Sequence, residues 1–160
     1  MKKLILLLTI PFFAGSCFDL EENPKAILTT ELFYRTSDDA IAAVNSIYNV
    51  LNNGNGTMYN RLFHMGIEIM SDDAIAGERL KNADVREIAA LTHSTNNIRF
   101  ESLWQEHYMG INRANIAINR IKDIDMDEQL RTRLILEAKF LRGLLYFNLV
   151  RLWGDVPLVL

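Results

Sequence analysis

Two amphipathic runs late in the 160-residue chain restrict its fold more than any other feature. From Phe100 to Ile121, the residues Trp104, Tyr108, Ile111, Ala114, Ile118 and Ile121 recur at spacings of three and four. From Glu128 to Trp153, Leu130, Leu134, Leu141, Leu145, Leu149 and Leu152 follow the same rhythm. That period is α-helical. About five residues separate the two runs, which leaves room only for a reversal, so the helices are antiparallel and their stripes meet. Each fully buried leucine or isoleucine stabilises by roughly 1.5–3 kcal/mol, so this hairpin is expected to dominate the fold. Asp125 and Asp127 suit the positive start of the second helix, and Gly154 ends it. The run from Asp155 to Leu160 reads as extended and apolar, an ending that leads us to expect further chain beyond it.

Upstream, Thr36 or Ser37 caps a helix that carries Asp38 and Asp39 in its first turn. Its expected apolar face is Ile41, Val44, Ile47, Tyr48 and Leu51, and the stretch from Asn52 to Gly56 stops it. Tyr59 to Met70 reads as a second helix with Leu62, Met65, Ile69 and Met70 inward, broken by Ser71-Asp72-Asp73. Residues 74–97 are polar and weakly periodic, with a short helix expected near Ala83 to Leu91. A connection that long inside a compact domain is more often functional than idle.

The amino terminus adds a second constraint. Lys2 and Lys3 precede an apolar run from Leu4 to Phe13, then Ala14-Gly15-Ser16-Cys17. Ten apolar residues fall short of the roughly 20 that span a bilayer, and the layout is that of an export signal. The cysteine stands where a lipoprotein signal peptidase cuts, an arrangement that resembles the bacterial lipobox, although Ala14 departs from the usual leucine. The alternative is a chance cysteine beside an ordinary cleavage site. We therefore expect a signal peptide over 1–16, a lipidated tether over 17–35 attached through Cys17, and a helical domain over 36–160, incomplete at its carboxyl end. Several acyl chains, at about 0.8 kcal/mol per buried methylene, hold far more firmly than one. Asp19, Glu21 and Glu22 would repel anionic headgroups, so lipid and not charge makes the anchor. That acidic stretch also resembles the export tag of surface lipoproteins in Bacteroidetes-type bacteria.

Most chemistry can be set aside. The sequence is 49% hydrophobic and 23% charged with a net charge of −3, which excludes disorder and offers no basic stripe for nucleic acid. One cysteine excludes a disulfide framework and a cysteine-built zinc site within the chain. Asp123, Asp125 and Asp127 alternate like the start of a calcium loop, but Glu128 and Leu134 stand where that loop needs glycine and glutamate. His64 and Glu68 share a helical spacing without a further ligand, and His93 and His107 are isolated; we expect no metal and no cofactor. GxSxG, the Walker loop and the dinucleotide fingerprint are missing from the sequence. Trp104, Tyr108 and Trp153 offer faces on which sugars stack, although their helical spacing favours a place in the core. Asp73, Arg79, Asn82 and Asn96, polar residues of the long connection, are the expected ligand contacts.

Three stretches resemble the SusD/RagB family of outer-membrane lipoproteins. TTELFYRTSDDAIAAVNSIYNVL follows the tether as that family's early helix does. SLWQEHYMGINRANIAINRI resembles its W-x3-Y-x2-I-x2-A-N helix. EAKFLRGLLYFNLVRLWGDVPLVL matches the family run A-x-F-L-R-A-x2-Y-F-x-L-V-x2-Y/F-G-x-V-P-L, with Gly143 in place of alanine and Trp153 in place of tyrosine or phenylalanine. The resemblance implies an all-α fold of antiparallel, tetratricopeptide-like helix pairs and a non-enzymatic role. It implies binding of a polysaccharide, oligosaccharide or other nutrient at the cell surface, and delivery to a SusC-like, TonB-dependent transporter of the outer membrane. It also implies that this is the amino-terminal part of a longer protein. A helix pair without its neighbour would then expose apolar surface and be prone to aggregate. A helical-repeat scaffold that binds protein and no glycan, or a truncated product without function, are the alternatives.

Overall fold

The computed structural model of the chain describes residues 33–52 and 63–160. Its helices are α1 (Ser37–Leu51), α2 (His64–Glu68), α3 (Ala83–Ala89), α4 (Ile98–Ile121) and α5 (Glu128–Trp153). No strand occurs among the described residues, so the fold is all-α as expected. The export signal, Cys17, the stop from Asn53 to Gly56 and Leu62 lie outside the described residues.

Each long helix begins on a side chain that the sequence offers for the purpose. Thr36 caps α1 through a capping box: its hydroxyl accepts from Asp39 N at 3.2 Å, and Asp39 Oδ2 accepts from Thr36 N at 2.9 Å. Asn97 Oδ1 accepts from Arg99 N at 3.0 Å to start α4, and Asp127 Oδ1 accepts from Leu130 N at 2.8 Å to start α5. Gly154, at φ 75°, closes α5. Between α4 and α5 the chain turns over buried Ile124, and Arg131 fastens that turn by donating to Ile124 O and Met126 O at 2.8 and 3.2 Å.

The hairpin of α4 and α5 is antiparallel, since Trp104 meets Trp153, Tyr108 meets Tyr146, and Asn115 accepts from Arg142 at 2.7 Å. Helix α1 lies across both, running against α4, where Arg113 Nη1 donates to Ser46 O at 2.7 Å. The core is Ala40, Ala43, Val44, Ile47 and Val50 from α1, Leu103, Ile111, Ala114, Ala117 and Ile121 from α4, and Leu134, Ala138, Leu141, Leu145 and Leu149 from α5.

On α1 and α4 that core is rotated from the stripe that the large apolar residues suggest. Ile41 and Leu51 are half-buried and Tyr48 is exposed, while Trp104, Tyr108 and Ile118 sit at the side of α4. Each of these helices faces two partners, so the line of nearest approach falls on alanine and glycine. At Gly110 a Cβ would stand 2.7 Å from Leu145 Cδ1 and 3.4 Å from Val50 Cγ1, so α1, α4 and α5 meet closely there. A larger residue there overpacks the junction.

Beyond Gly154 the chain folds back along the hairpin. Tyr108 OH donates to Pro157 O at 2.7 Å, and Tyr146 OH donates to Val159 O at 2.8 Å and accepts from Val159 N at 2.6 Å. Asn115 Nδ2 adds a bond to Val159 O at 3.1 Å, so three side chains hold residues 155–160 as a strap.

Candidate functional site

The end of the hairpin away from the α4–α5 turn opens into a cleft of about 700 Å³. The first turns of α4 supply Phe100, Glu101, Trp104 and Gln105, and the last turn of α5 supplies Leu152 and Trp153. Met70, just past α2, and His93, Ser94 and Thr95 of the long connection close it. The wall is chiefly aromatic and aliphatic, with a polar edge where Gln105 Nε2 donates to Glu101 Oε1 at 3.1 Å. An apolar recess with a few convergent polar groups is the usual form of a small-molecule site.

The aromatic side chains are braced. Trp104 packs edge-on against Trp153 with ring centroids 5.3 Å apart and leans on Tyr108 at 5.0 Å; Tyr108 meets Tyr146 at 6.4 Å. Such pairs add about 0.5–1.5 kcal/mol beyond burial and fix ring orientation. Burial, with the Tyr146 phenol beside it, raises the Tyr108 phenol above its ordinary pKa, so it stays protonated and keeps donating to Pro157 O. The rings therefore link the cleft to the strap. His93 packs at a tilt against Phe100, with ring centroids 4.8 Å apart.

Asn97, which the sequence reading did not single out, sets the position of the loop wall. It is 5% exposed, caps α4, and its Nδ2 donates to Asp84 O of α3 at 3.0 Å. The Arg99–Asp84 ion pair reinforces the same junction. The available signal was an asparagine directly before an amphipathic run.

Asp73, Arg79, Asn82 and Asn96 all lie exposed on the connection, and none is among the residues that line the cleft. Asn82 precedes α3 without a side-chain cap bond, and Asn96 N donates to Ser94 Oγ at 3.3 Å. The structure instead gathers Trp104 and Trp153, whose helical spacing had argued for the core, at the half-buried rim of the recess. His107, three residues beyond Trp104 on α4, is fully buried; its Nδ1–H donates to Leu103 O at 2.7 Å, and burial lowers its pKa. No group of three or more His, Cys, Asp or Glu that could hold a metal occurs among the described residues. No helix among them is long and apolar enough to cross a membrane.

Fold and cleft together define a helical protein with an aromatic-lined recess of the kind in which small molecules are held. The chain belongs to the SusD-like family, whose description is "Starch-binding associating with outer membrane" and which matches residues 20–160. Two SusD-like proteins of Formosa agariphila, P2 and P25, are 31% and 30% identical to it over 156 and 158 residues, covering 98% and 91% of this chain. A SusD-like protein of Bacteroides ovatus is 22% identical over 99% of this chain. The matches cover 30%, 29% and 28% of those three proteins, so this chain spans less than a third of their length. No solved structure matches it.

Proposed function

We propose that this chain serves as the ligand-capturing part of a cell-surface glycan- or nutrient-binding lipoprotein. The single observation that carries the reading is the braced aromatic cleft, found in a chain whose family is described as starch-binding and associated with the outer membrane. Pyranose rings present apolar C–H faces that stack on indole, and their hydroxyls hydrogen-bond to carboxylate and amide groups such as Glu101 and Gln105. The ligand is a neutral or weakly charged oligosaccharide, bound and released without bond cleavage. Asp73, Arg79, Asn82 and Asn96, on the connection that supplies the cleft's loop wall, extend the contact to ligand or transporter.

Residues 1–16 act as the export signal, Cys17 carries the acyl anchor, residues 17–35 form the tether and residues 36–160 the helical domain. The anchor places the protein at the outer membrane beside a SusC-like, TonB-dependent transporter that receives the ligand. Labelling with a radioactive fatty acid tests the anchor: label is expected on the native chain and lost in Cys17→Ala.

Calorimetric titration with maltooligosaccharides tests capture. Trp104→Ala is expected to weaken binding at least about tenfold, equivalent to about 1.4 kcal/mol, with helical content retained. Equal affinity in a folded Trp104→Ala variant would place the ligand elsewhere and overturn the assignment of the cleft.

A further inference from the structure

One residue sets the charge of the cleft. Among the described residues that line it, Glu101 is the only carboxylate, and no lysine or arginine joins it. The arginines nearby in sequence are engaged elsewhere. Arg99 is held in an ion pair with Asp84 of α3. The Arg151 guanidinium lies over the Phe63 and Phe147 rings, 5.5 and 4.5 Å from their centroids. The start of α4 contributes a partial positive charge of about half a unit, which the full charge of Glu101 in that first turn outweighs.

The hydrogen-bonding groups of the same edge point to the same selection. Glu101 and Gln105 stand one turn apart on α4, both exposed to solvent. An ionised carboxylate only accepts, so the Gln105 amide must turn its nitrogen towards Glu101, and Nε2 donates to Oε1 at 3.1 Å. That bond orients the amide. Glu101 Oε2 and the Gln105 carbonyl oxygen then face a ligand as acceptors, against one further Gln105 N–H as donor. The Ser94 and Thr95 hydroxyls of the loop wall serve either way. Hydroxyl and ammonium groups, which donate, suit such an edge. Sulfate esters and carboxylates, which only accept and carry negative charge, are opposed by it twice over.

We propose that Glu101, oriented by Gln105, is the specificity-determining residue of the cleft. It admits glycans that present hydroxyl or amino groups to this edge and rejects those that present sulfate or carboxylate. The inference rests on the cleft being the glycan site and names the chemical class of glycan that it takes. Trp104 follows Glu101 by three residues on one helix, a spacing that makes them neighbours at about 5–6 Å. A charged substituent on a sugar stacked against that indole therefore lies well within a Debye length of the carboxylate. At that range, near the protein surface, like charges weaken affinity about tenfold at low ionic strength.

Calorimetric titration of the full chain at pH 7.5 with three forms of maltohexaose tests the assignment. One is unmodified, one carries a sulfate ester on every ring, and one carries an amino group in place of the 6-hydroxyl on every ring. Substitution of every ring puts a charge beside Glu101 in whichever register the sugar binds. At about 0.01 M salt, where the screening length is roughly 30 Å, the sulfated form is expected to bind at least about tenfold more weakly than the unmodified one. The amino form is expected to bind more tightly. Both differences should shrink at about 1 M salt, where that length is roughly 3 Å. Glu101→Gln keeps the shape and removes the charge. Whatever it does to the unmodified sugar, it should lower the unmodified-to-sulfated affinity ratio at least about fivefold and abolish the preference for the amine.

Equal binding of all three sugars by the native chain leaves capture intact and overturns the role of Glu101. A preference that persists in Glu101→Gln with native helical content, or that ignores salt, also overturns it, since the bulk of the substituent then does the excluding. If unmodified maltohexaose does not bind at all, the cleft fails as the glycan site and the charge assignment falls with it.

Discussion

At the scale of single residues, His107 shows how a side chain can be structural and still report on solution conditions. It is completely buried, and its Nδ1–H is committed to Leu103 O, so the neutral ring is the form that fits. Its Nε2 has no hydrogen-bond partner among the described residues, so a second proton would be buried without an acceptor. Burial lowers the pKa of the folded protein below the ordinary imidazole value near 6.5. The unfolded chain therefore binds more protons in the interval between those two values, and stability falls as pH drops through it. The limiting slope is about 1.4 kcal/mol per pH unit for one such group. Urea unfolding between pH 7.5 and 5.5 should show this loss in the native chain and a shallower dependence in His107→Leu. Identical slopes in the two proteins would show that His107 does not carry the effect. Asp39 works in a separate window: its hydrogen bonds with Thr36 lower its pKa, so its contribution is present at neutral pH and fades only under more acidic conditions.

At the scale of elements, much of the architecture can be read from punctuation. Thr36, Asn97 and Asp127 cap because a short side-chain oxygen reaches the amides of the first turn, and Gly154 stops α5 because it adopts a positive φ. Periodicity placed α4 and α5 within two residues of their ends, and it placed the short α3. It missed the rotation of the faces, since hydrophobic size points to Tyr48 and Trp104 whereas three-way packing selects Ala43, Gly110 and Ala114. The cleft was less legible still, because its walls come from three separated stretches that only the tertiary fold unites. The end of α3 breaks the usual rule. Leu91 takes φ 55°, with its N–H bonded to Ile88 O at 3.0 Å and Thr92 N bonded to Glu87 O at 2.9 Å. This is the closing geometry that normally falls to glycine, and a leucine there costs roughly 1–2 kcal/mol. Its side chain is 64% exposed and returns little in packing. Leu91→Gly should therefore slow hydrogen exchange of the α3 amides, by about fivefold for each 1 kcal/mol of strain relieved. Faster exchange would mean that the leucine side chain holds α3 in place.

At the scale of the whole molecule, the stability of the parts follows from how each is attached. Helices α1, α4 and α5 share one continuous core, so their central amides exchange only when most of the bundle opens. Helix α3 buries Val85 and Ile88 outside that cluster and is tied on by Asn97 and by the Arg99–Asp84 pair. It can open without disturbing the hairpin. Residues 93–95, which wall the cleft, lie between this looser unit and the first turn of α4. A ligand that touches Trp104 and that wall together binds the closed arrangement better than the open one. Binding must then stabilise the loop by mass action. Hydrogen exchange read by mass spectrometry should show amides of 83–92 exchanging at least about 100-fold faster than those around Ile111 and Leu145, a gap of about 2.8 kcal/mol. Saturating maltooligosaccharide should slow exchange in 83–97 while leaving the turn at 122–127 unchanged. Protection spread evenly over the bundle would show that the hairpin and α3 open as one unit. Protection absent from 83–97 would separate the ligand from the loop wall and leave the rigid α4–α5 face as its only support.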